Sequence, residues 1–424
     1  MKPPGERIPA TVKWLSVVSL FNDFASEMVY PLLPALVTQT LGGGAIILSL
    51  VDSASEVASA LTKWASGRLA DRPAWRRPLI LGGYLTAVLV RPLTSFAGAA
   101  WQVVGFRVID RIGKGLRTPP RDALVADVTP PPLRGRAFGF HRGADHFGAV
   151  IGSVAAWWFL HSGANVRQVI EWSIAPGLIA FVILAATLRR EGRRAEPGWA
   201  REKGGSGSAA PRGAEARGGA TAGAAAPGAT PADPIAEPPT RRFWLPILAL
   251  TALTVARVPE TLLLLRLQDA GIAVAIIPLV WAALHVIRSA GSYPGGALTD
   301  WLGPRRVVAA GGVLFAAVVA AMGLDVGAMG TAVAFLIFGL VAGLMEPAER
   351  ALVARLAPRR TGRGFGVYHA LTGIAVLPAG VAFGAIYQRA GGGPALWSSA
   401  AAMVAAVLLW LAVAPHGTES GAAR

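Results

Sequence analysis

Residues 67–77 read GRLADRPAWRR, and residues 296–306 read GALTDWLGPRR. The two stretches lie 229 residues apart and have Gly, Leu, Asp and a final Arg pair at the same positions. Two shorter matches, offset by 228 and 227 residues, are Ala123–Ala126 with Ala351–Ala354 and Gly135–Gly139 with Gly362–Gly366. Because the offset is nearly constant over three matches, the chain is predicted to consist of two halves that repeat each other.

The composition around this repeat excludes a water-soluble globular protein. Hydrophobic residues make up 53% of the chain, charged residues only 15%, and the mean hydropathy is +0.50, whereas an average soluble domain has about 25% charged residues. The net charge of +16 is compatible with nucleic-acid binding, but the bases form short clusters between long apolar runs, which is typical of a membrane protein. Since the chain has no Cys, disulfides, thiol chemistry and Cys-based metal sites are excluded.

Twelve mostly apolar stretches are long enough to cross the bilayer as helices, which takes about 20 residues each. Six stretches lie in each half, and halves with an even number of spans are parallel repeats. We therefore predict an all-α membrane protein with two pseudo-symmetric six-helix bundles. The predicted spans are residues 14–36, 46–66, 78–98, 100–125, 137–160, 168–188, 244–265, 272–294, 306–324, 328–352, 364–388 and 395–414.

The two halves are separated by the 54 residues 189–242, which are rich in Gly, Ala and Pro. Such a composition cannot bury enough apolar surface to order itself, so we predict a flexible cytoplasmic linker. A regulatory or docking segment is the alternative. The predicted domains are an N-terminal bundle over residues 1–188 and a C-terminal bundle over residues 243–424.

The distribution of Lys and Arg predicts the orientation in the membrane. On one side of the predicted spans the bases are clustered, whereas Arg167, Arg266 and Arg389 are the only bases found in the opposite loops. Because base-rich loops stay in the cytoplasm, we expect both termini there, in the cytoplasmic membrane of a bacterium. The first apolar stretch carries Asp23 and Glu27, unlike the core of a signal peptide.

The repeated motif and a second motif on the fourth span resemble those of the major facilitator superfamily. Residues 67–72 with the following Arg76 are similar to the family's signature between helices 2 and 3. Arg107 with Asp110 and Gly113 is similar to the family's arginine motif on helix 4. The resemblance covers essentially the whole chain except the linker. It implies two six-helix bundles that rock about a central substrate cavity.

Two positions depart from the pattern of that family. Ala74 stands where the family usually has Gly, although Gly303 is present in the second copy. Residues 148–152 read GAVIG and lack the Gly-Pro of the family's antiporter motif. We interpret these small residues as positions where two helices approach closely.

The repeated motif is interpreted as a cytoplasmic gate, as the resemblance implies for the family. An acid at the end of a helix can pair with a loop arginine or with a helix N-terminus, and opening must break such a pair. Charges that merely set the topology are the alternative for several of these arginines. The residues assigned to the gate are Gly67, Asp71, Arg72, Arg76, Asp300 and Arg305.

Carboxylates inside the first two spans are candidates for substrate binding or proton coupling. Asp23 and Glu27 are spaced i, i+4 on the first span, with Tyr30 nearby, and Asp52 and Glu56 repeat this spacing on the second. Charged groups at membrane depth are costly and mark transport pathways, and a desolvated carboxylate can hold a proton near neutral pH. The alternative is that they only satisfy bases on neighbouring helices.

The fourth span carries a basic stripe formed by Arg107, Arg111 and Lys114 at helical spacing, with Asp110 among them. We expect this stripe to pair with the acids of the first two spans. The corresponding residues 335–343 of the second half have no such stripe, so we expect ion coupling or charged-substrate binding in the first half. A purely structural ion-pair network is the alternative, and Arg107 is the strongest candidate.

Two further acids are weaker candidates. Asp145 lies on the fifth span, and Glu260 lies on the seventh, where Arg257 at i−3 is its expected partner. The sequence contains no P-loop, no metal-binding His cluster and no hydrolase motif. We therefore expect no enzyme activity and no catalytic residue, cofactor or metal site.

These patterns together predict a secondary transporter that works by alternating access. We expect proton-coupled efflux of a small organic compound. The alternatives are a proton-linked symporter for metabolite uptake and a non-transporting membrane sensor with the same fold. The expected partners are a small-molecule substrate, protons and the lipid bilayer, with no nucleic acid, and we expect a monomer.

Overall fold

The computed structural model describes residues 8–70, 72–130, 133–195, 241–356 and 361–413, and in these ranges the regular structure is helical. Helices 6 and 7 are each built from two segments. In chain order the helices are α1 Ala10–Val29, α2 Ala45–Ala70, α3 Pro73–Leu93, α4 Ala100–Val128, α5 Arg134–His161, α6a Val166–Trp172, α6b Ile174–Ala195, α7a Arg241–Val255, α7b Glu260–Asp269, α8 Ile277–Leu302, α9 Pro304–Met322, α10 Gly327–Leu356, α11 Thr361–Ala390 and α12 Gly392–Val413.

By length and hydropathy, eight of the described helices could cross a membrane. The others are α1, α4, α5 and α8, of which α8 qualifies only over the shorter stretch Ile277–Gly291. Helices α1, α4 and α5 carry the charges that the sequence placed at membrane depth. Twelve crossings therefore remain a prediction for these four helices. The eight spans are Ala45–Ala70, Ala74–Phe96, Val166–Glu191, Trp244–Asp269, Pro304–Met322, Gly327–Glu349, Ala370–Ala390 and Gly392–Val413.

Several helix ends differ from the sequence prediction. Helix α8 begins at Ile277 instead of residue 272 and continues to Leu302, so the second copy of the repeated motif lies mostly in its last turns and not in a loop. Gly67 likewise lies within α2. Helix α6b continues through Ala195 and α7a begins at Arg241, which takes residues from both ends of the predicted linker; its residues 196–240 lie outside the described residues.

Prolines shape the end of the first span. After Val29 the chain continues through the 3₁₀ turn Tyr30–Leu32 and the π turn Leu36–Thr40. Pro31 and Pro34 lack the backbone N–H that a regular helix needs, so the turns around them depart from α geometry. The first span therefore extends beyond the predicted residues 14–36.

Glycines bring α5 against α1. A Cβ on Gly148 would lie 2.2 Å from the carbonyl oxygen of Leu20, and one on Gly152 would lie 2.3 Å from that of Phe24. Only glycine permits this backbone approach. The geometry supports the packing interpretation of residues 148–152.

The two halves meet along a seam of small residues between α2 and α11. A Cβ on Gly384 would lie 2.5 Å from the Ser49 hydroxyl, and one on Gly380 would lie 2.8 Å from the Ser53 side chain. This seam lies toward the Ala45 end of α2, which is the side opposite to the chain termini. We call that side the far side, and the side of the termini the near side.

Two of the three far-side arginines cap helix ends. Arg167 donates hydrogen bonds to the carbonyls of Ser95 and Ala97 after α3, the latter at 2.9 Å. Arg266 donates to the carbonyls of Met322 and Leu324 at the end of α9, both at 2.9 Å. A cation at a helix C-terminus is favourable, so these exceptions to the base distribution have a structural cause.

Candidate functional site

A cavity lies between the two halves. Its deeper chamber, of about 340 Å³, is lined by residues of α1, α2 and α4 from the first half and of α7, α8 and α11 from the second. An adjoining chamber of about 490 Å³ extends along α10 and α11 toward the near side. Four charged residues border both chambers: Glu56, Arg257, Glu260 and Arg288.

Asp52 of the first half caps a helix of the second. Its Oδ2 accepts a hydrogen bond from the backbone N–H of Thr261 at 2.9 Å, and its Oδ1 accepts one from the Tyr30 hydroxyl at 2.9 Å. Thr261 lies in the first turn of α7b, which begins after the break at Pro259. A carboxylate is favoured at such an N-terminus. The Thr261 hydroxyl also donates to the Leu48 carbonyl at 2.9 Å, so the halves are bonded at this point.

Glu27 makes a second contact across the cavity. The indole N–H of Trp281 donates to Glu27 Oε2 at 2.8 Å, and His285 Nε2 lies 3.8 Å from the same oxygen. The Trp281 ring also packs against the Tyr30 ring, with centroids 5.1 Å apart. Glu27 and Asp52, predicted on separate spans, are thus brought to one wall and each is bonded to the other half.

The buried ion pairs of the first half differ from the expected ones. Arg107 contacts Asp110 of its own helix at 3.4 Å, and Asp110 also accepts from Arg91 Nε of α3 at 3.0 Å. Arg91 donates further to the backbone and side-chain oxygens of Asn22 at 2.8 and 3.1 Å. The expected pairing of Arg107 with acids of the first two spans is therefore wrong. Asp110 serves this buried network, and sequence reasoning missed Arg91, although a base inside an apolar span was a usable signal.

Arg107 and Arg111 occupy different positions on α4. The Arg107 guanidinium lies 4.8 Å from the centroid of the Tyr30 ring, and its Nε and Nη2 have no hydrogen-bond partner among the described residues. Arg111 lines the deeper chamber, as do Tyr30 and Glu56. Lys114 is exposed one turn closer to the near side.

The second half contributes more charge to the cavity than the sequence suggested. Glu260 pairs with Arg288 of α8 at 2.7 Å, whereas Arg257 pairs with Glu349 of α10. The expected Arg257–Glu260 pair is wrong, because the break at Val258 and Pro259 interrupts the helical spacing. Sequence reasoning also missed Glu349, which lies six residues beyond the stretch 335–343 of the same helix.

Two candidates lie away from the cavity. Asp23 accepts a hydrogen bond from the Asn22 amide at 3.0 Å and is not among the described residues that line either chamber. Asp145 is likewise absent from that lining and lies 3.9 Å from His141 of its own helix. The expected role of Asp23 or Asp145 in the cavity has no support in this geometry.

The described gate residues bind within their own halves. Arg76 donates to the Ala70 carbonyl at 2.7 Å and pairs with Asp127 at the end of α4. Arg305 donates to the Leu411 carbonyl of α12 at 2.6 Å. Arg72 precedes the first turn of α3, and its side chain is exposed. Asp71 and the side chain of Asp300 lie outside the described residues.

A helical membrane protein with a charged cavity between two repeated halves has the architecture of a transporter, and comparison with known proteins gives its family. The profile of the Major Facilitator Superfamily matches residues 15–284. The chain belongs to this superfamily. It is therefore a multi-pass membrane protein.

The related sequences match only part of the chain. An uncharacterized MFS-type transporter of Methanocaldococcus jannaschii is 33% identical over 171 residues, which are 40% of this chain and 42% of that protein. The multidrug resistance protein MdtH of Edwardsiella ictaluri is 29% identical over 159 residues, 38% of each chain. The aligned region thus spans less than half of the length of either relative.

Solved structures share the fold over nearly the whole chain. A D-xylose-proton symporter superimposes with a TM-score of 0.68 at 12% identity, covering 95% of this chain and 97% of that one. A bacterial homolog of the human lysosomal transporter Spinster, in an inward-facing and unoccupied conformation, gives a TM-score of 0.64 at 18% identity, covering 98% and 96%. The predicted superfamily fold is confirmed.

Proposed function

We propose that this protein is a proton-coupled secondary transporter that exports a small organic compound through the cavity between its halves. The observation that carries the proposal is that Glu27 and Asp52 line the cavity and are each hydrogen-bonded to the opposite half. A change of charge at either residue therefore acts directly on the contact between the halves. The relative named as a multidrug resistance protein favours export.

The coupling step follows from the donors that face these carboxylates. Trp281 and the Thr261 backbone donate to ionised oxygens, and a hydrogen bond to a charged acceptor is stronger than one to a neutral group. When both carboxylates are ionised, the far side is held closed. Protonation weakens both contacts, so the charge of the two carboxylates is coupled to the contact between the halves.

The placement in the cell completes the proposal. The near side carries most of the base clusters, which favours a cytoplasmic position for both termini in a bacterial cytoplasmic membrane. The cavity, which extends toward the near side, then receives substrate from the cytoplasm. The transporter acts as a monomer, because one chain contains both halves of the cavity.

The test is proton movement in proteoliposomes that contain trapped pyranine. A pooled set of aromatic acids, amines and alcohols is added, and we expect substrate-dependent proton flux opposite in direction to substrate flux. In Glu27→Gln and Asp52→Asn this flux should fall at least tenfold while substrate exchange without a pH gradient persists. Glu171→Gln, on α6a and outside the described cavity lining, is the control.

Full proton coupling in the Glu27→Gln, Asp52→Asn double variant would contradict the assignment. Proton flux in the same direction as substrate would replace export with proton-linked uptake. The absence of any substrate movement, with ligand binding intact, would instead indicate a membrane sensor with the same fold.

A further inference from the structure

The guanidinium groups that line the cavity differ in how they are bonded. Arg257 pairs with Glu349, and Arg288 pairs with Glu260 at 2.7 Å. Arg111 lines the deeper chamber but makes no hydrogen bond or ion pair with any described residue. Asp110, Glu56 and Glu27 act on it only at longer range. The wall of the first half therefore presents a guanidinium with all its donors available.

Such a group is costly at membrane depth unless something binds it. Insertion scales assign about 2.5–3.5 kcal/mol to an Arg at the centre of a membrane helix. The planar fork of Arg fits a carboxylate or phosphate through two parallel hydrogen bonds. The chemistry that satisfies Arg111 is therefore that of an anionic oxygen pair.

The neighbours of Arg111 on α4 continue the positive charge on both sides. Lys114 is exposed and lies one turn closer to the near side, where the cavity extends. Arg107 lies one turn deeper, is 6% exposed and has two unpartnered guanidinium nitrogens. These three residues share one face of the helix, and of the three only Arg111 is among the described residues that line the chambers.

Three of the four acids that line the deeper chamber already accept hydrogen bonds from protein donors, and the fourth is Glu56. Glu27 already accepts from Trp281, Asp52 from Tyr30 and Thr261, and Glu260 from Arg288. A cationic ligand would have to compete with these protein donors. An anionic ligand would meet donors on Arg111 that are not engaged by the described residues.

Besides its charged residues, the lining of the deeper chamber includes aromatic and apolar groups. Trp281 and Tyr30 pack together at the chamber, and Val258 and Val376 complete its apolar lining. A chamber of about 340 Å³ is at the small end of the range for organic ligands. The site thus combines one anion-binding group with room for a modest hydrophobic body.

We propose that the cavity binds a small organic anion, with a carboxylate or phosphate held by Arg111 and an aromatic or aliphatic body against Trp281. This inference rests on the proposed transport function, since it names the substrate class of the same cavity. It assigns to Arg111 direct contact with the substrate.

The experiment uses ligands that share one body and differ in the head group. The detergent-purified full chain is titrated with 3-phenylpropionate, 2-phenylethyl phosphate, 3-phenylpropanamide and 3-phenylpropylamine, and both melting temperature and calorimetric binding are recorded. Ligands that bind the folded state raise its stability by mass action. We expect the two anions to bind and the amide and amine to bind at least tenfold more weakly.

Three variants locate the binding group. Arg111→Gln should weaken binding of both anions at least tenfold, and Arg111→Lys should retain part of the affinity because it keeps the charge without the fork. Arg77→Gln removes the same charge from an exposed position outside the described cavity lining, and it should leave the affinity for the anions unchanged. The melting temperature of each variant without ligand reports whether that variant is folded. The preference of the wild type between head groups tests the proposal even if the Arg111 variants do not fold.

Stronger binding of the amine than of the anions would overturn the proposal, and so would absence of anion binding or unchanged anion affinity in folded Arg111→Gln. These outcomes are separable from failure of the transport function. Proton-coupled transport of the amine would support the transporter and reject the anion site. Anion binding that depends on Arg111 but gives no transport would support the site and reject the transporter.

Discussion

Two buried arginines of the first half, Arg91 and Arg107, are paired with a single carboxylate. Asp110 faces both Arg91 and Arg107, and the three side chains are about 95% excluded from solvent. A buried ion pair is weak support for net stability, but removing one member leaves an uncompensated charge. Asp110 is therefore expected to matter for folding more than for transport.

Replacing Asp110 should show this asymmetry. Asp110→Asn keeps the shape but removes the charge between two guanidinium groups, so we expect a loss of about 3–5 kcal/mol in the free energy of unfolding. The measurement is denaturant unfolding in detergent. Asp122→Asn, where the side chain is 41% exposed and paired with Arg121, should cost less than about 1 kcal/mol. Equal losses in both variants would contradict the role of Asp110.

At the scale of helices, the break in helix 7 creates the contact between the halves. Pro259 precedes α7b, whose first-turn N–H at Thr261 is capped by Asp52. Had helix 7 been continuous, that N–H would have bonded within its own helix. The break therefore converts a backbone donor into a bond across the cavity.

Removing the charge of this cap should open the far side. Asp52→Asn keeps an acceptor but loses the attraction to the helix N-terminus, so the population open to the far side should rise. Because the chain has no Cys, spin labels on Gln39→Cys and Ala273→Cys report the far-side distance directly. Asp325→Asn, an exposed far-side acid, is the control. An unchanged distance distribution in Asp52→Asn would argue against the cap.

The same labels predict a pH dependence with a definite sign. Lowering the pH protonates Asp52 and removes the charged acceptor, so the open population should grow as the pH falls. The groups that face Asp52 are Tyr30, Arg107, Glu260 and Thr261. The response should be smaller in Asp52→Asn than in the wild type, and an equal response in both would assign the effect to another group.

Steric changes in the α2–α11 seam provide another test of closure on the far side. A Cβ on Gly384 would lie 2.5 Å from Ser49 and 2.9 Å from the Ala45 carbonyl. We expect Gly384→Ala to separate the helices and lengthen the Gln39–Ala273 label distance. Gly82→Ala, where nothing lies within 4 Å of the new carbon, should leave the distance unchanged. A matching distance distribution in both variants would show that the seam can absorb the methyl group.

At the scale of the whole molecule, the orientation in the membrane can be measured. We expect Arg72→Cys, between α2 and α3 on the near side, to react with an impermeant maleimide in inside-out vesicles, and Gln39→Cys to react in intact cells. Both positions are exposed. The reason is the cluster of bases on the near side, which is retained in the cytoplasm. The reverse labelling pattern would invert the proposed direction of transport.

The overall fold could be predicted because it depends on features that are local in sequence. Apolar length, the repeat at residues 67 and 296, and the base clusters are all visible without coordinates. The charged positions Glu27 and Asp52 were also recognisable, because acids are rare in membrane helices. Their partners were not, since Trp281 and Thr261 are more than 200 residues away and one of the two donors is a backbone group.

The pairing errors have a common cause. The expected Arg257–Glu260 pair assumed an unbroken helix, although Pro259 disfavours helical geometry in the preceding residue. Arg107 was assigned to acids on other spans, whereas its partner is Asp110, three residues further along its own helix. Sequence spacing identifies which residues share a face, but it does not rank competing partners across helices.

The seam of Gly and Ser between α2 and α11 has a consequence for how closure is controlled. Its glycines and serines contribute contact area without long polar side chains, and the Gln388 side chain of α11 adds a polar contact by accepting from the Ile46 N–H of α2 at 3.4 Å. Under the proposed mechanism the strength of closure then resides in a few ionisable contacts, while its geometry is set by the glycines. Acidity could thus tune how long the far side stays shut without changing the shape to which it returns.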